Sequence, residues 1–399
     1  MSRLAALLRA CALLLVATPR SPARADSPQA PASAASSDAT AGQLELTAPL
    51  GLRTQGVLRE LFVDPILLDT RPRDSLEVDL RWAAANDWSI PTQLVRFGPY
   101  QVSQIITDEQ ADTLTARVRI PWSLLFGSGP GELPGSARPL WARLSTAFEW
   151  RVTEHWGGWS DGAIGAFHAL IGGFDYDRNL YPANQVNLFL GDLGGGPVAF
   201  NLRSATFAPG DLVARTQLLL AELPASTLAV RLDLKAPTGS LARAGSSGGW
   251  DTALGLAGSY QFLPSLILHA MATLSVLANF STPIALQPKR WHGTADASLV
   301  WTVGQGRVAL LLEDRVATPL LEPGWQRVEF GGDNGLIASA EFASFRAHNQ
   351  VSAGVRWQGF SFWLSEDYTP GSNPRSVVTF VYVSNSPDIV AGLSWTRSF

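Results

Sequence analysis

A serine with glycine two residues to either side can sit on a strained strand-to-helix turn and act as a nucleophile, and Gly158-Trp159-Ser160-Asp161-Gly162 has that spacing. It stands between a strand-like and a helix-like segment, the context such a turn needs. His168 follows eight residues later. Along a helix that is about 12 Å at 1.5 Å per residue, whereas a general base must lie within about 3 Å. A base for Ser160 would have to come from His155, His269, His292 or His348. Glycine is abundant, 36 of 399 residues, so roughly 0.2–0.3 chance matches to such a pentapeptide are expected in a chain like this one. Lipid hydrolysis through Ser160 and His168 is therefore the lesser reading, and a packed His168 the plainer one. Asp175-Tyr-Asp177-Arg-Asn179 starts like a calcium loop, but Leu180 stands where glycine is needed and Val186 where glutamate is needed. Neither a metal nor a cofactor is expected.

Charge with a clearer purpose lies on alternating segments. Thr113–Trp122 sets Leu114, Ala116, Val118, Ile120 and Trp122 on one face, and Thr113, Thr115, Arg117 and Arg119 on the other. Ser226–Lys235 sets Leu228, Val230, Leu232 and Leu234 against Ala229, Arg231, Asp233 and Lys235. Leu76–Trp82 and Trp141–Val152 repeat the pattern, with Glu77, Asp79 and Arg81 in the first, and Arg143, Glu149 and Arg151 in the second. If the apolar faces meet lipid, Arg117, Arg119, Arg143, Arg151, Arg215, Arg231 and Lys235 point into a lumen, together with Glu149 and Asp233. Rings of cations in a pore favour anions. The same groups, paired with one another, would close it. Both outcomes are open at this level.

The elements that must position these residues are strands. The alternating runs are about 9–12 residues long, the span of a tilted membrane strand and longer than the 5–6 residues of a soluble one. Only 16% of residues are charged while 46% are hydrophobic, against about 25% charged in soluble chains. A sheet in hydrocarbon must close on itself. The expected fold is all-β: a transmembrane antiparallel barrel of about 14 strands (12–16), with one short helix in a loop. That helix is expected within 160–171, where Ile164, Phe167, His168 and Ile171 have helical spacing.

Arg3 and Arg9 flank the start of an apolar stretch that runs through Leu13–Ala17 and is followed by Ala23-Arg24-Ala25, the pattern of a secretory signal peptide, so residues 1–25 are expected to be cleaved. Residues 26–48 read as a flexible periplasmic leader, and 49–399 as the barrel, with 157–180 as a loop and short-helix insertion. The last strand, Ile389–Phe399, places Ile389, Ala391, Leu393, Trp395 and Phe399 on one face. Leu393, Trp395 and the terminal Phe399 resemble the signal by which barrel-assembly machinery takes up outer-membrane proteins.

Three segments carry a wider resemblance: Pro49-Leu-Gly-Leu-Arg-Thr-Gln55, Trp156–His168 continued to Asp177-Arg178, and Leu234-Lys-Ala-Pro-Thr-Gly239. With these the chain resembles a family of Gram-negative outer-membrane β-barrel proteins known only by a domain-of-unknown-function label, over roughly residues 49–399. Thr54 and Arg397 depart from that pattern. The resemblance implies a fold and the cell outer membrane, and no activity. The leading expectation is a passive channel for small solutes, with a possible preference for anions. The alternatives are a closed envelope-maintenance barrel and a lipid-acting enzyme. Expected partners are outer-membrane lipid, the barrel-assembly machinery and a small anionic solute; a net charge of −4 gives no ground for nucleic acid.

Overall fold

The structure, a computed structural model, describes residues 46–71, 74–88, 93–97, 101–127, 138–160, 162, 166, 182–304, 306–321, 325–329, 337–338, 348–367 and 389–399. The expected signal peptide, most of the leader, and most of the 157–180 insertion with His168 lie outside these residues. Of the expected helix there, Gly162 and Ala166 are described and are helical.

After a one-turn helix α1 (Val57–Glu60), the first strands are β1 (Glu77–Trp88), β2 (Gln93–Phe97), β3 (Gln101–Ile106) and β4 (Asp108–Pro121). A second short helix, α2 (Ser123–Phe126), precedes β5 (Leu144–Trp156), β6 (Leu188–Asp192), β7 (Val198–Leu202) and β8 (Thr206–Pro209). Next come β9 (Leu212–Leu223), β10 (Ser226–Ala236), β11 (Asp251–Leu263), β12 (Leu266–Val276), β13 (Trp291–Val303) and β14 (Val308–Ala317). The last are β15 (Trp325–Glu329), β16 (Ile337–Ala338), β17 (His348–Trp357), β18 (Phe360–Asp367) and β19 (Ile389–Ser398).

Twelve of these close into an antiparallel ring in the order β4-β1-β19-β18-β17-β14-β13-β12-β11-β10-β9-β5, with β5 returning to β4. The ring has twelve strands where the sequence suggests about 14, at the lower bound of the expected range. β8 pairs with β5 beyond the end of β9 and stands outside the ring. β2, β3, β6, β7, β15 and β16 form a separate six-stranded sheet, ordered β16-β15-β2-β3-β6-β7. The first and last ring strands meet from Glu77↔Ser398 to Asn86↔Ile389, and the Phe399 N–H donates to Leu76 O at 2.8 Å.

The faces invert the pattern of a soluble protein. Along β10, Arg231, Asp233 and Lys235 are buried while Leu232 and Leu234 are exposed. Leu254, Leu274, Leu312, Phe362 and Leu364 are each more than half exposed. Such an apolar outer band is stable against lipid and not against water. The chain is thus a transmembrane β-barrel, and it resides in the outer membrane.

Both ends of the ring lie on one side, with the tight connections at 224–225, 264–265 and 358–359. This is the periplasmic side, where outer-membrane barrels carry short turns. Gln358 and Gly359 both have positive φ (48° and 82°), the two-residue hairpin turn that matches strand twist. Exposed Tyr260, Phe262, Trp301, Trp357 and Phe360 gather at this rim, and Trp250 and Trp291 at the other, as aromatic girdles do. Trp122 lies just past the end of β4 and Trp357 ends β17, while Trp82 and Trp150 sit mid-strand.

Candidate functional site: a charged lumen filled by the N-terminal segment

A belt of alternating sign runs around part of the inner wall. Strand register places Asp79, Arg117 and Glu149 side by side on β1, β4 and β5. Arg117 bonds Asp79 at 3.1 Å and Glu149 at 2.9 Å. Arg215 on β9 continues the row, 2.9 Å from Glu149 and 2.6 Å from Asp233 on β10. Arg231 adds 2.9 Å to Asp233. Across the ring Asp296 faces Arg315 in register, at 2.7 Å. Near the far end of β10, Lys235 lies between Asp211 (2.7 Å) and Asp251 (3.2 Å). Buried charge is tolerable only when paired and hydrogen-bonded, and cross-strand neighbours of opposite sign are how this wall achieves it.

Of the residues that the sequence points inward, Arg117, Arg119, Arg151, Arg215, Arg231, Lys235, Glu149 and Asp233 all face the interior and are buried. Arg143 does not. It ends the 3-10 turn Leu140–Arg143 just before β5, and donates to Leu219 O (2.8 Å) and Leu220 O (3.1 Å) at the periplasmic rim. Alternation was read through Trp141–Val152 as one strand, but the strand begins at Leu144.

The lumen holds a second component that strand periodicity could not reveal. Residues 46–71 form no ring strand, and almost all of them are buried. They rise from the periplasmic mouth and return to it. The start is held by His269 Nε2 at Thr47 O (2.8 Å) and by Arg356 at Ala48 O (2.6 Å), beside the tight turns that precede β12 and follow β17. Midway, Arg53 joins Glu149 at 2.7 Å, so three arginines converge on that carboxylate. The apex, α1 and Leu61–Val63, sits at the extracellular end: Lys235 donates to Leu61 O (3.1 Å) and the Val63 N–H to Asp251 (2.9 Å). On the way back Asp64 meets Arg315 at 2.8 Å, and Thr70 bonds Thr227 and Ser259 beside the turns 224–225 and 264–265. The segment is a hairpin inserted from the periplasmic side. Its arms touch at Gly51, where φ is +61° and any Cβ would collide with Leu67 O. Asp64 belongs to this hairpin and to no spanning strand; burial opposes its charge, yet Arg315, Arg53 and the Thr54 N–H outweigh burial and hold its carboxyl below the usual range.

Two kinds of contact fix the hairpin. The arms are held by polar bonds. The apex is held by apolar packing: Val57, Leu58, Leu61, Phe62 and Val63 enter the largest apolar cluster of the described residues, with Ile105, Leu188, Leu190, Phe200, Leu241, Phe280 and Leu286 from the extracellular loops and the six-stranded sheet. Phe62 and Phe280 meet at 5.4 Å. Between hairpin and wall, cavities of about 20 and 30 Å³ remain, room for a water or so in each.

Among the described side chains, none of the histidines offered as a base is hydrogen-bonded to Ser160. The Ser160 hydroxyl accepts from Asn86 Nδ2 at 2.9 Å. His155 is buried with Nδ1 2.6 Å from Glu109, His269 bonds Ser259, and His292 bonds Thr318. His168 lies outside the described residues. Among the described residues no group of three or more His, Cys, Asp or Glu side chains is placed to hold a metal.

The three segments that carry the family resemblance have structural employment. Pro49–Gln55 is the rising arm of the hairpin. Leu234–Gly239 holds Lys235 and ends where the Gly239 N–H donates to Asp211 at 2.8 Å. Trp156–Ser160 leads off β5, with the Trp159 N–H on Gln110 Oε1 at 3.2 Å.

The class defined by this fold is the outer-membrane β-barrel with an occupied lumen. Residues 136–327 match the family model described as "Protein of unknown function (DUF3187)", in keeping with the resemblance read from the sequence. No curated protein matches the chain. Among solved structures, the COG4313 outer membrane channel from Pseudomonas putida F1 is 12% identical with a TM-score of 0.42, covering 83% of this chain and 100% of its own. The NanC porin is 8% identical with a TM-score of 0.35, covering 81% and 98%. A Pseudomonas aeruginosa FadL homologue is 10% identical with a TM-score of 0.34, covering 82% and 91%.

Proposed function

We propose that the protein is an outer-membrane channel for small polar solutes, stoppered by its own residues 46–71. The observation that carries this reading is the nature of the obstruction. An interior too wide for strand side chains to fill alone is closed by a separate chain segment, held along its arms by polar bonds. Both ends of that segment leave by the same mouth, so it can withdraw without unthreading.

A preference for anions fits the groups withdrawal would uncover. Arg81, Arg231, Lys235, Arg315 and Arg356 each spend a donor on the hairpin, and Arg151 lies 3.9 Å from Glu60. The acids that do so are Asp87, Glu149, Asp251 and Glu313. Among these groups, six cations stand against four acids, a modest cationic excess.

The test is planar-bilayer conductance of the refolded chain, as wild type and as Leu58→Asp/Phe62→Asp, which places charge in the apolar apex seal. Rare openings in the wild type, frequent ones in the variant, and an anion-selective reversal potential support the channel. Silence in both, with folding checked by heat-modifiable gel mobility, rejects it in favour of a permanently closed barrel.

A further inference from the structure

The wall holds the hairpin largely by its main chain. On the rising arm Glu313 accepts the Gly51 and Leu52 N–H groups at 3.1 and 3.0 Å, while Arg81 donates to Gly51 O at 2.8 Å. Arg356 donates to Ala48 O and Pro49 O. At the apex the bonds from Lys235 and to Asp251 are again to a carbonyl and an N–H. On the return arm Arg315 donates to Pro65 O, Arg231 to Ile66 O, and Gln217 to Asp69 O at 3.1 Å. Acids meet N–H groups and bases meet carbonyls at successive points along an irregular chain. Those are the groups every peptide presents, whatever its side chains.

The same wall groups are held in place without the hairpin. Lys235 is fixed by Asp211 and Asp251, Arg315 by Asp296, Arg231 by Asp233, and Arg356 by Ser361 Oγ at 2.8 Å. They sit on rigid strands and are pre-organised, which lowers the entropic cost of binding.

We propose that the lumen is a binding tract for a linear peptide, recognised through its backbone, and that residues 46–71 are the built-in occupant of that tract. This rests on the hairpin being a removable stopper, and it names the solute class of the channel: short peptides and not small anions in general. A solute lacking amide N–H groups would leave Glu313 without the two N–H groups it accepts and Asp251 with one donor fewer, and would be held more weakly.

The test is binding in trans. A fluorescent peptide of residues 46–71 is added to the folded full-length Leu58→Asp/Phe62→Asp variant that also carries Thr54→Cys; maleimide reaction at position 54 reports that the lumen has emptied. Fluorescence polarisation needs no conduction, so a failure here is separable from a failure of the channel reading. The expected result is saturable binding that survives Ala at positions 53 and 64 of the peptide. N-methylation of the peptide at Leu52 and Val63, which removes the N–H groups taken by Glu313 and Asp251, should weaken binding by about tenfold or more. Equal binding of the methylated peptide overturns the proposal, as does absence of binding to an emptied, folded barrel. Should the variant not fold, the otherwise wild-type chain with Thr54→Cys is used. There, added peptide should speed maleimide reaction at position 54 by displacing the native hairpin, and the methylated peptide should not; no acceleration by either overturns the proposal.

Discussion

Glu149 is the residue on which the interior turns. It receives Arg53 from the hairpin and Arg117 and Arg215 from the wall, and it is itself buried. Removing its charge leaves Arg53 without its carboxylate, and Arg117 and Arg215 with Asp79 and Asp233 alone, in a low-dielectric space. Glu149→Gln is expected to cost about 3 kcal/mol or more, as broken buried ion pairs do, seen as a lower denaturant midpoint of the folded barrel. It should also loosen the rising arm, because Arg53 loses its partner. Much at this scale was legible in the sequence: the alternation of Thr113–Trp122 and Ser226–Lys235 puts Arg117, Arg119, Arg231, Asp233 and Lys235 on the interior face, where they stand. Who pairs with whom was not legible. Arg117 meets Glu149 only because β4 and β5 align those two residues, and register is a property of two strands and not of one. Arg315, Asp296, Glu313 and Arg356 also serve the lumen; the alternation of Trp291–Val303, Val308–Ala317 and His348–Trp357 was the signal that could have found them.

At the scale of elements, the lumen hairpin is what a period-based reading passes over. Residues 46–71 lack alternation, and Pro49, Gly51, Gly56 and Pro65 keep them from continuing as strand. Nothing in such a segment announces that a barrel will surround it. Gly51 carries a local requirement: positive φ, and a neighbouring carbonyl where Cβ would be. Gly51→Val is expected to push the arms apart and raise maleimide reactivity of a Thr54→Cys reporter severalfold, with ring stability little changed because no ring strand is touched. Unchanged reactivity would mean that the arms tolerate separation. The six-stranded sheet escapes a period-based reading for a related reason: its strands are two to six residues long and lack sustained alternation, so only their pairing defines them.

For the whole molecule, closure depends on the meeting of β1 and β19. The outer face of β19 carries Ala391, Leu393, Trp395, Arg397 and Phe399, and the Arg397 guanidinium lies over the Phe399 ring at 5.3 Å, a cation–π contact that gives this departure from the family pattern a place. Phe399→Ala, which removes the terminal ring of the expected assembly signal, is expected to lower the yield of heat-modifiable barrel in cells while leaving detergent-refolded protein intact; equal yields in cells would deny the terminal ring a part in assembly. The hairpin also has a bearing on biogenesis. It precedes β1, one lip of the seam, and the other lip, β19, is synthesised after every other strand of the ring. The stopper can therefore be laid in place beside an unsealed cylinder and enclosed as the seam zips shut, in the manner of a cork set before the bottle is blown, and a barrel made in that order is stoppered from the moment it closes.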